Sequence, residues 1–355
     1  MKRLLKVVNY CIDRIKMNMQ DDISKVIYSE RLAYNVKKEI NRIRKIMDVQ
    51  GTSMPILSFL EKNKKRNKVI FGAGYWGKQI RELFPEIDWR GFADNNAKEG
   101  QQINGLPCLT LNEAFTKWQD SVFVVATSKF GSEMKEQLIQ FGAKENDIFL
   151  LNDYMEKLEK ECQYFDLPFL THDAEEVFVD IGALDGNTTK KFINWCSGDF
   201  HHAYVFEPNP HMKETLQKIT SPKISLISKA LSNESGEAVF YCEKEGREGS
   251  SHVIEVTKGK MDVEQTVVPV VTLDEELADK KVTFLKLDVE GFEENVLLGA
   301  EKIIRNNKPK IAVCIYHRTE DMWRIPSLLM EFRSDYKFYV RHYSWDSDET
   351  VLYAI

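Results

Sequence analysis

The chain has no Cys-x-x-Cys pair, no Cys/His cluster and no apolar run approaching the ~20 residues that a membrane helix needs. Its six cysteines (Cys11, Cys108, Cys162, Cys196, Cys242 and Cys314) are scattered, which excludes a disulfide framework and a zinc site and predicts reduced thiols. The N-terminal stretch is interrupted by charge every few residues, so it lacks the apolar core of a signal peptide, and a cytoplasmic protein is expected. Basic excess is missing too. A net charge of −6 gives no footprint for nucleic acid. Low-complexity tracts and short-period repeats are absent. What remains is a globular composition, 43% hydrophobic and 29% charged, over 355 residues. That length suits two domains, each able to bury its own core.

Residues 1–66 read as a helical segment. Leu4, Leu5, Val8, Cys11, Ile12 and Ile15 recur at helical spacing, as do Ile40, Ile43, Ile46 and Met47. An amphipathic hairpin is expected, packing on the rest of the protein or pairing with a second copy as a homodimer. Gly51 to Pro55 breaks the pattern, and a further helical stretch reaches about Lys65. Residues 67–151 alternate strand and helix and predict a small parallel sheet. Residues 152–175 read as a charged, mostly helical connector. Residues 176–355 form a second α/β domain with strands expected at 176–180, 202–206, 224–228, 283–287 and 310–316. A β-rich insertion, about 237–271, precedes the fourth strand. The runs at 338–343 and 350–354, with no helix between them, read as an antiparallel pair at one sheet edge.

The second domain opens on the informative segment, VFVDIGALDGNTTKKF. A strand runs into Asp180, followed by Gly182, Ala183, Asp185 and Gly186, with a helix near Thr188. Glycine at such a turn lets a ligand approach the backbone. The carboxylate of Asp185 between the glycines would repel a diphosphate and suits a cationic ligand. This moves the reading away from a nicotinamide cofactor and toward S-adenosylmethionine. The next strand ends in Glu207-Pro208-Asn209, where an acid can accept both ribose hydroxyls. After the third strand, Ala230 and Leu231 offer an apolar wall for the adenine. The fourth strand ends Lys286-Leu287-Asp288-Val289-Glu290-Gly291-Phe292-Glu293, placing Asp288 and Glu290 at the ligand end of the sheet. Glu293 and Glu294 open the following helix, where carboxylates favour the dipole. His317, after the fifth strand, is a candidate general base with a pKa near neutrality, and Asp288 or Glu290 is the alternative base or its orienting partner.

Five motifs in order, DIGALDG, FEP, KALS, FLKLDVEGFE and IYHR, resemble the FkbM family of S-adenosylmethionine-dependent methyltransferases. The resemblance covers about residues 176–355. It implies a seven-stranded sheet of the Rossmann-like class I methyltransferase type and O-methyl transfer to a hydroxyl of a sugar or a polyketide. Asp180, Gly182, Asp185, Gly186 and Glu207 match the cofactor motif. Asp288, Glu290 and Glu293 match the Asp-x-Glu-Gly-x-Glu signature. Asp288 and Glu290 could also supply oxygen ligands to a divalent metal, although no metal site is assigned from the sequence.

In the first domain, Gly72-x-Gly74-Tyr75-Trp76-Gly77 follows a strand and precedes a helix, with Asp94 seventeen residues after Gly77. That context suits phosphate at the helix N-terminus. GAGYWGK, GFADNN, INGLPCL, FVVAT and LIQFGA resemble the nucleotide-sugar-binding Rossmann-like domains found at the front of sugar-modifying proteins. The expected substrate is a sugar or nucleotide-linked sugar, held by Gly72, Gly74, Tyr75, Trp76, Gly77 and Asp94. Two other classes are weighed. A nucleotide-sugar oxidoreductase or epimerase would need a Tyr-x-x-x-Lys pair, which is missing beside this turn. A non-catalytic binding subunit would hold cofactor without turnover.

Overall fold

The computed structural model describes residues 2–165, 167–219, 221–243, 252–253 and 263–355. The chain divides into two compact units. One comprises Ser29–Glu161 and His342–Ser347, and the other Met1–Tyr28, Cys162–Arg341 and Asp348–Ile355.

The N-terminal unit holds strands Asn67–Phe71 (β1), Trp89–Ala93 (β2), Gln102–Ile103 (β3), Leu106–Leu109 (β4), Ser121–Val125 (β5) and Ile148–Leu150 (β6). Their order is β3-β4-β2-β1-β5-β6. β1 pairs in parallel with both β2 and β5, so the winding direction switches at its carboxyl end, the place where such sheets bind ligands. Val69, Phe71, Phe123 and Val125 bury one face against Trp118 and Leu138.

The C-terminal unit repeats this logic on a larger scale. Its main sheet contains Val177–Ile181 (β7), His202–Phe206 (β8) and Ile224–Ile227 (β9). Ala230–Leu231 (β10), Gly236–Glu243 (β11), His252–Val253 (β12) and Val263–Val271 (β13) form a separate four-stranded sheet. Phe284–Leu287 (β14), Lys310–Cys314 (β15), Phe338–His342 (β16) and Thr350–Ala354 (β17) complete the main one. Its order is β16-β17-β15-β14-β7-β8-β9, with β17 antiparallel to β15. The seven strands, the switch of winding between β7 and β14 and the antiparallel β17 are those of the class I methyltransferase sheet. All five β7 residues are buried, as expected for a strand covered by helices on both faces. Of the expected insertion, residues 237–243, 252–253 and 263–271 fall within the described residues.

Two expectations are revised. The first 50 residues form three helices, Lys2–Asn18, Asp22–Lys37 and Asn41–Gln50, not one hairpin. Lys38, at φ 54, ends the second of them. The compact units also cross the sequence boundaries. The first helix belongs with the C-terminal unit, where Ile15 and Met19 are buried, Tyr28 Oη donates to Met322 O at 2.7 Å, and Arg341 pairs with Asp21 at 2.8 Å. Cys11, Cys108, Cys196, Cys242 and Cys314 are free thiols. No helix among the described residues is long and apolar enough to cross a membrane.

Candidate active site

β7 and β14 lie side by side, so Asp180 and Lys286 face each other in register. Asp180 is fully buried. Thr189 Oγ1 donates to its Oδ2 at 2.7 Å, and Lys286 Nζ stands 3.3 Å from Oδ1. Burial alone would lower the Lys286 pKa, but the charges of Asp180 and Asp288 outweigh it and hold the ammonium above its ordinary value. Lys286 Nζ also donates to Gly182 O at 2.7 Å, so the buried pair props up the glycine turn from beneath.

The reason for Gly182 differs from the expected one. Its φ is +75°, and a Cβ would lie 2.0 Å from the Asp288 carbonyl oxygen. Contact with the chain's own backbone demands glycine here. At Gly186, φ +77°, a Cβ would meet Ile219 and Leu216. Ala183 packs with Val205 and Leu216. Asp185 caps its own turn, accepting from Asn187 N at 3.0 Å.

Glu207, 4% exposed, follows β8. It accepts from Leu184 N and Asn209 N, both at 2.8 Å, and thereby ties the glycine turn to the next loop. Burial pushes its carboxyl above the usual range despite these bonds. Asn209 in turn accepts from His211 N at 3.0 Å. A cavity of about 100 Å³ opens beside Glu207, lined also by Val205, Leu216, Leu226, Ile227 and Ser228. Ala230 and Leu231 lie one step further on, in β10, where Ala230 packs against Phe240, Cys242 and Val268 of the second sheet.

Beyond β14 and β15 the titratable residues converge. Nε2 of His317 lies 3.6 Å from Asp288 Oδ1 and 3.5 Å from Glu290 Oε2, while Nδ1 lies 2.9 Å from Glu293 Oε1. Glu293 is wholly buried and also accepts from Val289 N at 2.9 Å. Glu290 (φ 56) and Gly291 (φ 94) take left-handed conformations in succession and turn the strand into its helix. At a non-glycine residue this costs about 1–3 kcal/mol, a strain that clusters at functional sites. Burial would lower the His317 pKa, but Glu293, Asp288 and Glu290 outweigh it and push it up to about 10. The expected value near neutrality is therefore corrected: in this arrangement the ring is an imidazolium. Burial would raise Asp288, but Lys286 and His317 hold it below the usual carboxylate range. Asp321, whose Oδ2 accepts from Arg318 N, is pushed up to about 7 by burial and by Glu293.

Tyr164 was not singled out from the sequence. It comes from the connector, is buried, and donates to Asp288 Oδ2 at 3.0 Å. Only the aromatic run around it hinted at burial. In the N-terminal unit the six expected residues do gather. Ala73 N donates to Asp94 Oδ2 at 2.8 Å, and a Cβ on Gly77 would lie 2.0 Å from Gly72 O, whereas one on Gly74 would meet nothing within 4 Å. Tyr75 stacks edge-on with Trp76, and its hydroxyl bonds Asp346.

Residues 180–340 match the family model of the methyltransferase FkbM domain. The C-terminal unit thus carries an FkbM methyltransferase domain. No curated protein matches the chain. Among solved structures, methyltransferase FkbM from Methylobacillus flagellatus KT is 18% identical and overlays with a TM-score of 0.49, covering 92% of this chain and 100% of that one. Aeropyrum pernix fibrillarin, solved with natively bound S-adenosyl-L-methionine, is 14% identical with a TM-score of 0.34, covering 54% and 71%. The strand order itself carries the assignment of the methyltransferase fold.

Proposed function

We propose that the chain is an S-adenosylmethionine-dependent O-methyltransferase acting on a hydroxyl of a sugar or nucleotide-linked sugar. The observation that supports it is the joining of two features at one switch point. The glycine turn of β7 abuts the Asp288, Glu290 and His317 cluster through the Gly182–Asp288 contact.

The residues suit this cofactor. The cavity beside Glu207 is large enough for part of it, with a carboxylate at the wall where ribose hydroxyls need an acceptor. The excess of carboxylates nearby suits a positive sulfonium. When bound, S-adenosylmethionine supplies the methyl group. The chain's own tasks are to align the acceptor oxygen and to receive its proton. Asp288 or Glu290 takes that proton, with the His317 imidazolium orienting the carboxylates and Tyr164 holding Asp288 in place. The N-terminal turn, from Gly72 to Gly77 with Asp94, holds the nucleotide part of the substrate.

Methyl transfer from labelled S-adenosylmethionine to a panel of sugars and nucleotide sugars tests the reading. A His317→Ala variant should lose about 100-fold in turnover while keeping its cofactor affinity. Normal turnover in that variant, or no cofactor binding by the intact chain, would sink the corresponding part.

A further inference from the structure

The cluster around His317 holds more than a proton relay needs. One oxygen each from Asp288 and Glu293 and one nitrogen of His317 lie within 4.8 Å of one another. The set is buried unevenly. Glu293 is 0% exposed, the His317 side chain 9% and the Asp288 side chain 24%, so the cluster is closed on one side and open on the other.

A second observation points to a ligand. Glu293 Oε2 is buried with no hydrogen-bond partner, although Oε1 of the same carboxylate meets Val289 N and His317 Nδ1. A buried polar atom left unsatisfied is costly, and such groups are rare in folded proteins unless something else meets them. Here the unsatisfied atom belongs to the most deeply buried member of a ligand-rich cluster.

We infer that Asp288, Glu293 and His317 form a binding site for a divalent transition-metal ion. The geometry is close to what such an ion requires. Two ligands at ~2.1 Å from one ion sit at most ~4.2 Å apart, so the side chains need to draw in by only some tenths of an ångström. One imidazole with two carboxylates is a mixed nitrogen and oxygen set. It favours manganese, iron or zinc over magnesium or calcium, which prefer oxygen alone. Three protein ligands leave positions open on the exposed Asp288 side, where an acceptor hydroxyl can coordinate and lose its proton more readily. Glu290 Oε2, 3.5 Å from the same ring, stands at that open edge. The inference deepens the methyltransferase reading but is tested without it.

The experiment uses the full chain, stripped with chelator and titrated with manganese(II), with the free ion followed by electron paramagnetic resonance. One saturable site is expected. Glu293→Gln and Asp288→Asn, each checked for native folding by circular dichroism, should weaken binding at least about tenfold. No saturable site in the intact chain, or unchanged affinity in both variants, overturns the inference. Should Glu293→Gln not fold, the more exposed Asp288→Asn decides alone. S-adenosylmethionine is titrated into the same samples. Cofactor binding without manganese binding overturns the metal site only. Manganese binding without cofactor binding supports the site and removes the cofactor assignment.

Discussion

The two units solve the same local problem and diverge at what lies beneath it. Each places a glycine turn after the first strand of its main sheet, at the point where the winding switches. Each ties that turn to an acid at the end of the neighbouring strand, Asp94 accepting from Ala73 and Glu207 from Leu184. Under the C-terminal turn, however, lies the buried Asp180–Lys286 pair, and beside it the three carboxylates around His317. Among the described residues the only group of three or more His, Cys, Asp or Glu side chains suited to a metal is the C-terminal one. A shared turn geometry is therefore compatible with binding alone or with chemistry, and the charges packed around the turn make the difference.

The largest break in this comparison comes from removing the charge under the C-terminal turn. Lys286→Met leaves Asp180 buried without its cation and Gly182 O without its donor. A loss of about 3–5 kcal/mol is expected in urea denaturation, with cofactor affinity falling at the same time. A loss under about 1 kcal/mol would mean that Asp180 finds another partner and that the turn does not depend on the pair.

The N-terminal unit should respond instead to acid. His342 belongs to it by contact and is buried there. Burial and the nearby charge of Arg31 lower its pKa to about 3. Above pH 6.5 both folded and unfolded chains hold a neutral ring and nothing is gained or lost. As pH falls below that value the unfolded chain takes up a proton that the folded one refuses. Stability then drops by up to ~1.4 kcal/mol per pH unit, or about 2 kcal/mol at pH 5, until about pH 3. Hydrogen exchange of peptides from residues 29–161 at pH 7 and pH 5 measures this. A His342→Leu variant should flatten the response, and an unchanged acid response in that variant would place its cause elsewhere.

Much of both turns was legible in the sequence because each lies within one continuous segment. VFVDI announces a buried strand, and the residues after it fix the turn. The cluster was half legible. Asp288, Glu290 and His317 stand at strand ends, which pattern alone locates. Glu293 read as a helix-start acid, since the dipole gives a local reason for a carboxylate there. Only the fold shows it buried against His317. The His317 pKa was not legible, because it depends on three carboxylates brought together from outside its own segment. Tyr164 and the first helix failed for a related reason. An amphipathic or aromatic pattern says that a segment packs, but not on what.

The smallest change sharpens the comparison most. A Cβ on Gly74 would meet nothing within 4 Å and its φ is −76°, whereas at Gly182 a Cβ would strike Asp288 O. Gly74→Ala should therefore leave stability within about 0.5 kcal/mol of the parent, as a surface substitution does. The chain itself has no need of glycine at that position. If a nucleotide sugar lies against the N-terminal turn, its phosphate needs the space that the new methyl group takes. Affinity for the nucleotide sugar should then fall while melting temperature and S-adenosylmethionine binding stay unchanged. Equal affinity in parent and variant would remove the nucleotide from this turn and leave the N-terminal unit as a scaffold that shares a geometry with its neighbour but not a use.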